Sequence, residues 1–286
     1  MKIFAVFGLF LVALHSAVAG PYSFSVNVIG HGRPVILIPG LACTGDVWDG
    51  TIAHLKSRCE LYVLTLPGFG KQPPISGEYY VPRVRDEIIA FVKEKKLDHP
   101  AVIGHSLGGF MLYSLAEKEP RLWGPMISVD GLPFVSVIFN PNATAETIKP
   151  MANMIANQLV ADKPEAFKAS VKRNLQEEIT DPKDVAAIYA FASDSNPVDV
   201  AQAMWEIMTT DLRPGLSKIE SPFLLLGAGR LATTDAQKKA LSDLYQAQVK
   251  GMLDVKVQMD WNSRHFIMLD DPGWFYRQVD DFLARH

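Results

Sequence analysis

Short apolar runs alternate with amphipathic stretches along most of this chain. The runs lie at 25–28, 34–38, 61–66, 101–103, 125–129, 222–226 and 253–257. Those in the middle of the series are apolar at consecutive positions, so both faces of the strand are to be covered, as in a parallel sheet with helices on each side. Between them the period changes. In 84–97, Val84, Ile88, Phe91 and Val92 recur at helical spacing. Strand and helix signals in strict alternation predict an α/β fold with a doubly wound, mostly parallel sheet.

One region breaks that order. From Pro133 to Leu212 there is no convincing strand, whereas helical patterns are frequent. Phe167, Val171 and Leu175 lie four apart, and Ala201, Met204, Trp205 and Met208 share one face. Asp181-Pro182 and Asn196-Pro197 read as helix starts, a capping side chain followed by a proline that needs no amide partner. We read 133–215 as a helical cap inserted into a core made of 20–132 and 216–286. Most of its methionines and aromatics are expected to pack on the core; the others are free to line an apolar pocket.

The amino terminus carries a different signal. Met1-Lys2 is a short positive start, 3–14 is apolar and uncharged, and Ala17-Val18-Ala19 fits a small-x-small cleavage site. This predicts a signal peptide over 1–19 and export to a periplasmic or extracellular space; the competing reading is an uncleaved anchor. The run is shorter than the roughly 20 apolar residues of a membrane-spanning helix, and no other segment approaches that length, so no stable membrane span is expected after cleavage.

The composition of the whole sequence, 48% hydrophobic and 21% charged, is that of an ordinary globular protein. A net charge of −3 without a basic stripe gives nucleic-acid binding no electrostatic support. The two cysteines, Cys43 and Cys59, admit a disulfide in an oxidising compartment but lack the nearby histidines of a metal site. Asn142-Ala143-Thr144 has the form of a glycosylation sequon.

Chemistry concentrates at Gly104-His105-Ser106-Leu107-Gly108. The pentapeptide follows one of the apolar runs and leads into a helical pattern at Gly109-Phe110-Met111-Leu112. A serine between glycines on a strand-to-helix turn is the nucleophile-elbow arrangement: the turn lifts the hydroxyl above the sheet, and the small residues let backbones approach. A serine hydroxyl needs a base. Of seven histidines, His15 lies in the export signal, His286 ends the chain, His99 and His31 sit in turns that precede strands, and His54 falls in a helical stretch. His105 flanks the serine and reads as structural. His265 follows the last predicted strand and precedes a terminal helix at about Pro272, which lets it reach back over the sheet edge.

These pieces together resemble the α/β-hydrolase fold superfamily. They are Ile38-Pro39-Gly40-Leu41, Leu66-Pro67-Gly68-Phe69-Gly70, the elbow, and His265 seven residues before Pro272. They occur in the superfamily's order over nearly the whole mature chain, and the cap-bearing branch is the most similar. Pro39-Gly40 replaces the usual His-Gly of the oxyanion loop, a modest departure because the donor there is a backbone amide. An acyl-transfer intermediate carries an oxyanion that two amides would stabilise. One is that of Leu107, at the amino end of the helix after the serine; the resemblance implies that of Leu41 as the other.

The acid stays a choice between two residues. The superfamily commonly places an Asp about three residues after the glycine ending the post-cap strand, but Gly227 is followed by Ala228-Gly229-Arg230. Asp235 comes later and also reads as a helix cap. Asp130, at the tip of the strand after the elbow helix, matches the position some members use. Asp211 reads as a hinge residue at the end of the cap.

A serine at the elbow argues against dehalogenase and epoxide-hydrolase chemistry, which uses a carboxylate there. It implies hydrolysis of an ester, thioester or lactone of a small apolar acyl group through an acyl-enzyme, with no cofactor and no metal. C–C hydrolase, hydroxynitrile-lyase or cofactor-free haloperoxidase chemistry, or a non-catalytic binding role, are the alternatives.

Overall fold

The computed structural model describes residues 22–75, 77, 79–161 and 163–286; the segment read as a signal peptide lies outside them. The strands are β1 Ser25–Gly30, β2 Arg33–Ile38, β3 Cys59–Thr65, β4 Ala101–His105, β5 Met126–Val129, β6 Phe223–Ala228 and β7 Val255–Asp260. They form one sheet in the order β1-β3-β2-β4-β5-β6-β7. Every neighbouring pair is parallel except β1 with β3.

The consecutive apolar residues of the central strands divide between the two faces, because side chains alternate along a strand. Ile36, Ile38 and Val102 enter one core with residues of α2 (Tyr80–Lys95) and α3 (Leu107–Lys118). Val35, Leu37 and Ile103 enter the other with Trp48, Leu55 of α1 (Asp49–Leu55), and Phe275, Val279 and Phe282 of the terminal helix. Both layers are buried, which explains why these strands read as unbroken apolar runs.

Between β5 and β6 the described residues form no strand. Four helices fill the interval: α4 Ala145–Ala161, α5 Pro164–Glu178, α6 Pro182–Ala192 and α7 Pro197–Thr209. Asp181 and Asn196 act as the expected caps. The Asp181 side chain accepts from Lys183 N, and that of Asn196 from Val198 N and Asp199 N. The interval begins and ends at one place, where Leu212 N donates to Pro133 O (3.0 Å). Asp211 holds Arg213 there through Nε (2.8 Å) and Nη2 (2.6 Å).

After β6 come α8 (Asp235–Gln248), β7, the single turn α9 (Ile267–Asp270) and α10 (Pro272–Leu283). Helix α2 starts at Tyr80, four residues ahead of its apolar pattern. Its start is capped from outside: the Glu206 carboxylate of α7 accepts from Tyr80 N (2.7 Å) and Val81 N (2.6 Å). No described helix is long and apolar enough to cross a membrane. Cys43 and Cys59 are both buried and unpaired.

Candidate active site

Four chain segments converge at the carboxyl end of the parallel strands. Ser106 sits between β4 and α3 at φ 52°, ψ −112°, a strained conformation for a residue with a side chain. Neighbours hold it there: Ser106 N donates to Val129 O (2.9 Å), and its carbonyl accepts from Phe110 N (2.8 Å). The Gly40 loop comes so close that a Cβ at Gly40 would lie 2.7 Å from His105 Nδ1 and 3.2 Å from Ser106 Cβ.

Asp130 follows β5, also at positive φ (53°), with its amide tied to Leu226 O (2.8 Å). Its carboxylate is almost fully committed. Oδ2 is 2.6 Å from His265 Nδ1, while Oδ1 accepts from Ala228 N (2.9 Å) and Tyr245 Oη (2.6 Å). Burial and the Asp130 charge push the Tyr245 phenol well above its ordinary pKa, which keeps it a donor. Asp235 is exposed at the first turn of α8, beyond a capping box built by Thr234 and Gln237. The structure brings Asp130 to His265 and leaves Asp235 out.

Burial by itself would lower the pKa of His265. The hydrogen bond and charge of Asp130 outweigh it, and Glu178 adds to them, so the imidazole is pushed up to about 9. With Nδ1 on Asp130, Nε2 is the nitrogen left for proton transfer. His105 behaves differently. Burial, and then the nearby His265, push it well below the usual imidazole value. It therefore stays neutral, and its Nε2–H donates to the His265 carbonyl (3.1 Å). Its other nitrogen, Nδ1, is buried without a partner. So His105, read from sequence as structural, is a positioning residue for the His265 loop.

Ser106, His265 and Leu41 line a cavity of about 120 Å³ beneath the inserted helices. Much of its remaining wall is apolar, including Phe167, Val200, Met204 and Ile207, and Ser170, Asn174 and Glu178 of α5 also line it. Leu107 opens α3, so its amide has no carbonyl four residues back to bond. Cys43 also lines the cavity; burial pushes its thiol up, far from a reactive thiolate. Two site residues left no signal in the sequence. Tyr245 is one tyrosine in an amphipathic helix, and Glu178 is one of many charges in the insert.

A family model described as "Alpha/beta hydrolase family" matches residues 35–278. The chain belongs to that family. Among curated relatives, the pimeloyl-[acyl-carrier protein] methyl ester esterase of Aeromonas hydrophila subsp. hydrophila is 29% identical over 236 residues, covering 81% of each chain. The protein of the same name from Legionella pneumophila strain Corby is 23% identical, covering 89% of this chain and 96% of its own. Among solved structures, an esterase from Exiguobacterium antarcticum superposes with TM-score 0.76 at 16% identity, covering 91% of this chain and 95% of its own. The enol-lactonase from Burkholderia xenovorans LB400 gives 0.73 at 18%, covering 91% and 96%. These similarities establish the α/β-hydrolase fold. In that frame, the strand ends that carry Ser106 and Asp130 and the loop after β7 that carries His265 meet at one sheet edge.

Proposed function

We propose that this protein is a serine hydrolase that cleaves small carboxylic esters through an acyl-enzyme. The observation that carries this reading is the Asp130–His265 pair, 2.6 Å apart, facing one cavity with a serine on a strained elbow. Its esterase relatives support the substrate class.

In this mechanism His265 Nε2 takes the Ser106 Oγ proton as the oxygen attacks the ester carbonyl. Asp130 stabilises the imidazolium that forms and fixes the ring tautomer. The amides of Leu41 and Leu107 receive the oxyanion. His265 then gives its proton to the leaving alkoxide, and a water activated by the same imidazole releases the acid. A cavity of about 120 Å³ is small against the roughly 300–1,000 Å³ of drug-sized sites, which favours short acyl or alkyl groups such as methyl esters.

The test is Ser106→Ala with short p-nitrophenyl and methyl esters. Activity should fall by about 10⁴-fold or more, and labelling by a fluorophosphonate probe should vanish. Retained activity would exclude the acyl-enzyme route. We also propose export through residues 1–19; amino-terminal sequencing of secreted protein should begin at Gly20, and a start at Met1 would refute cleavage.

A further inference from the structure

Helix α5 puts a polar line into an otherwise apolar wall. Ser170, Asn174 and Glu178 all line the cavity, interleaved with Phe167, Val171 and Leu175. Four residues advance a helix by about 6 Å and bring it little more than once around, so the three polar side chains form one stripe along the wall. The stripe ends at Glu178, next to the His265 loop.

The place of Glu178 is fixed by backbone rather than by a choice of rotamer. Its carbonyl accepts from Phe266 N (3.4 Å), the residue after His265. On one side Arg264 Nη1 donates to Gln176 O (2.9 Å) and Ile179 O (3.3 Å). On the other, Asp270 accepts from Thr180 N (2.9 Å), Thr180 Oγ1 (2.7 Å) and Arg264 N (2.8 Å). The end of α5 and the loop holding His265 are thus clasped at several points.

The Glu178 carboxyl itself has no hydrogen bond or ion pair with a described residue. It interacts with His265, Asp130 and Cys43 through space, and burial raises its pKa. A half-buried carboxyl in the wall of a substrate cavity, with no side-chain partner among the described residues, stands ready to accept from a donor group on a ligand. In the proposed acyl transfer it helps raise the His265 pKa but touches no reacting atom.

We propose that Glu178 is a specificity-determining residue, which accepts a hydrogen bond from a donor group on the substrate, an ammonium or a hydroxyl, and disfavours substrates bearing a carboxylate. As a statement about substrates this rests on the ester-hydrolase reading above. Asn174 and Ser170 extend the same preference along the pocket.

The test uses methyl esters with chains of four and six atoms ending in methyl, hydroxyl, ammonium or carboxylate. In the wild-type enzyme kcat/KM should be about tenfold or more higher for the ammonium than for the methyl terminus, and lowest for the carboxylate. In Glu178→Gln the ammonium-to-carboxylate ratio should shrink by about tenfold or more. The same ranking should appear as equilibrium affinities for Ser106→Ala, measured by calorimetry. Hydrolysis without this ranking, or a ranking that Glu178→Gln leaves unchanged, overturns the proposal. Absence of hydrolysis with the ranking kept in binding overturns the ester-hydrolase reading and leaves the recognition role of Glu178 standing.

Discussion

The sheet and the inserted helices solve the same problem, satisfying backbone and side-chain polar groups near a cavity, in opposite ways. In the sheet, position along a strand settles a residue's surroundings. Ser106, Asp130 and Ala228 lie at or just past the ends of β4, β5 and β6, and register alone makes them neighbours. In the insert, helices begin at local signals, but what their side chains touch is decided across the molecule. Glu206 caps a core helix whose first residue lies 126 positions earlier in the chain, and Glu178 faces a histidine loop far along the chain. On the proposed function, the core carries chemistry readable by position, whereas the insert carries selectivity that only packing reveals.

The sharpest way to break this contrast is at the acid. Asp130→Asn should lower kcat by roughly 10²–10⁴-fold, because the imidazolium loses its partner, whereas Asp235→Asn should change it less than about twofold. The reverse order would show that sheet register misleads about the site. The pH dependence gives the next measure. The base works only when His265 is neutral, and with a pKa of about 9 only about 1% is neutral at pH 7. Wild-type kcat/KM should therefore rise with pH through a midpoint near 9 and level off only above about pH 10. Asp130→Asn removes the dominant raising influence, so the midpoint should move down as the plateau falls.

Stability probes the insert's side of the comparison. Glu206→Ala leaves the amides of Tyr80 and Val81 without their acceptor and should cost about 2–4 kcal/mol in urea unfolding. Glu206→Gln keeps one acceptor oxygen and should cost less. The smallest effect belongs to a local signal: Asn196→Ala removes one helix cap and should cost about 1 kcal/mol.

How far the sequence could be read follows from the same physics. Runs such as 34–38 and 101–103 were legible because burial on both faces leaves no polar position to confuse the period. The edge strand was harder. The expected run at 253–257 became Val255–Asp260, since β7 continues through polar Gln258 to Asp260 by pairing with β6, which no apolar pattern records. Helix α2 began early because its cap is Glu206, a tertiary partner. Ser106 and His265 were legible from a motif and from elimination. Choosing between Asp130 and Asp235 required knowing which carboxylate the loop after β7 approaches. His105 was legible as structural, but not its partner, a carbonyl 160 residues away in the chain.

The bond between Pro133 O and Leu212 N has an evolutionary consequence. Because the chain leaves and re-enters the core at a single point, a replacement of another length needs only to span the same two anchors. Loop closure grows costly only slowly with length. The lineage could thus exchange what the enzyme admits while keeping how it reacts, and inheritance of the sheet need not imply inheritance of a substrate.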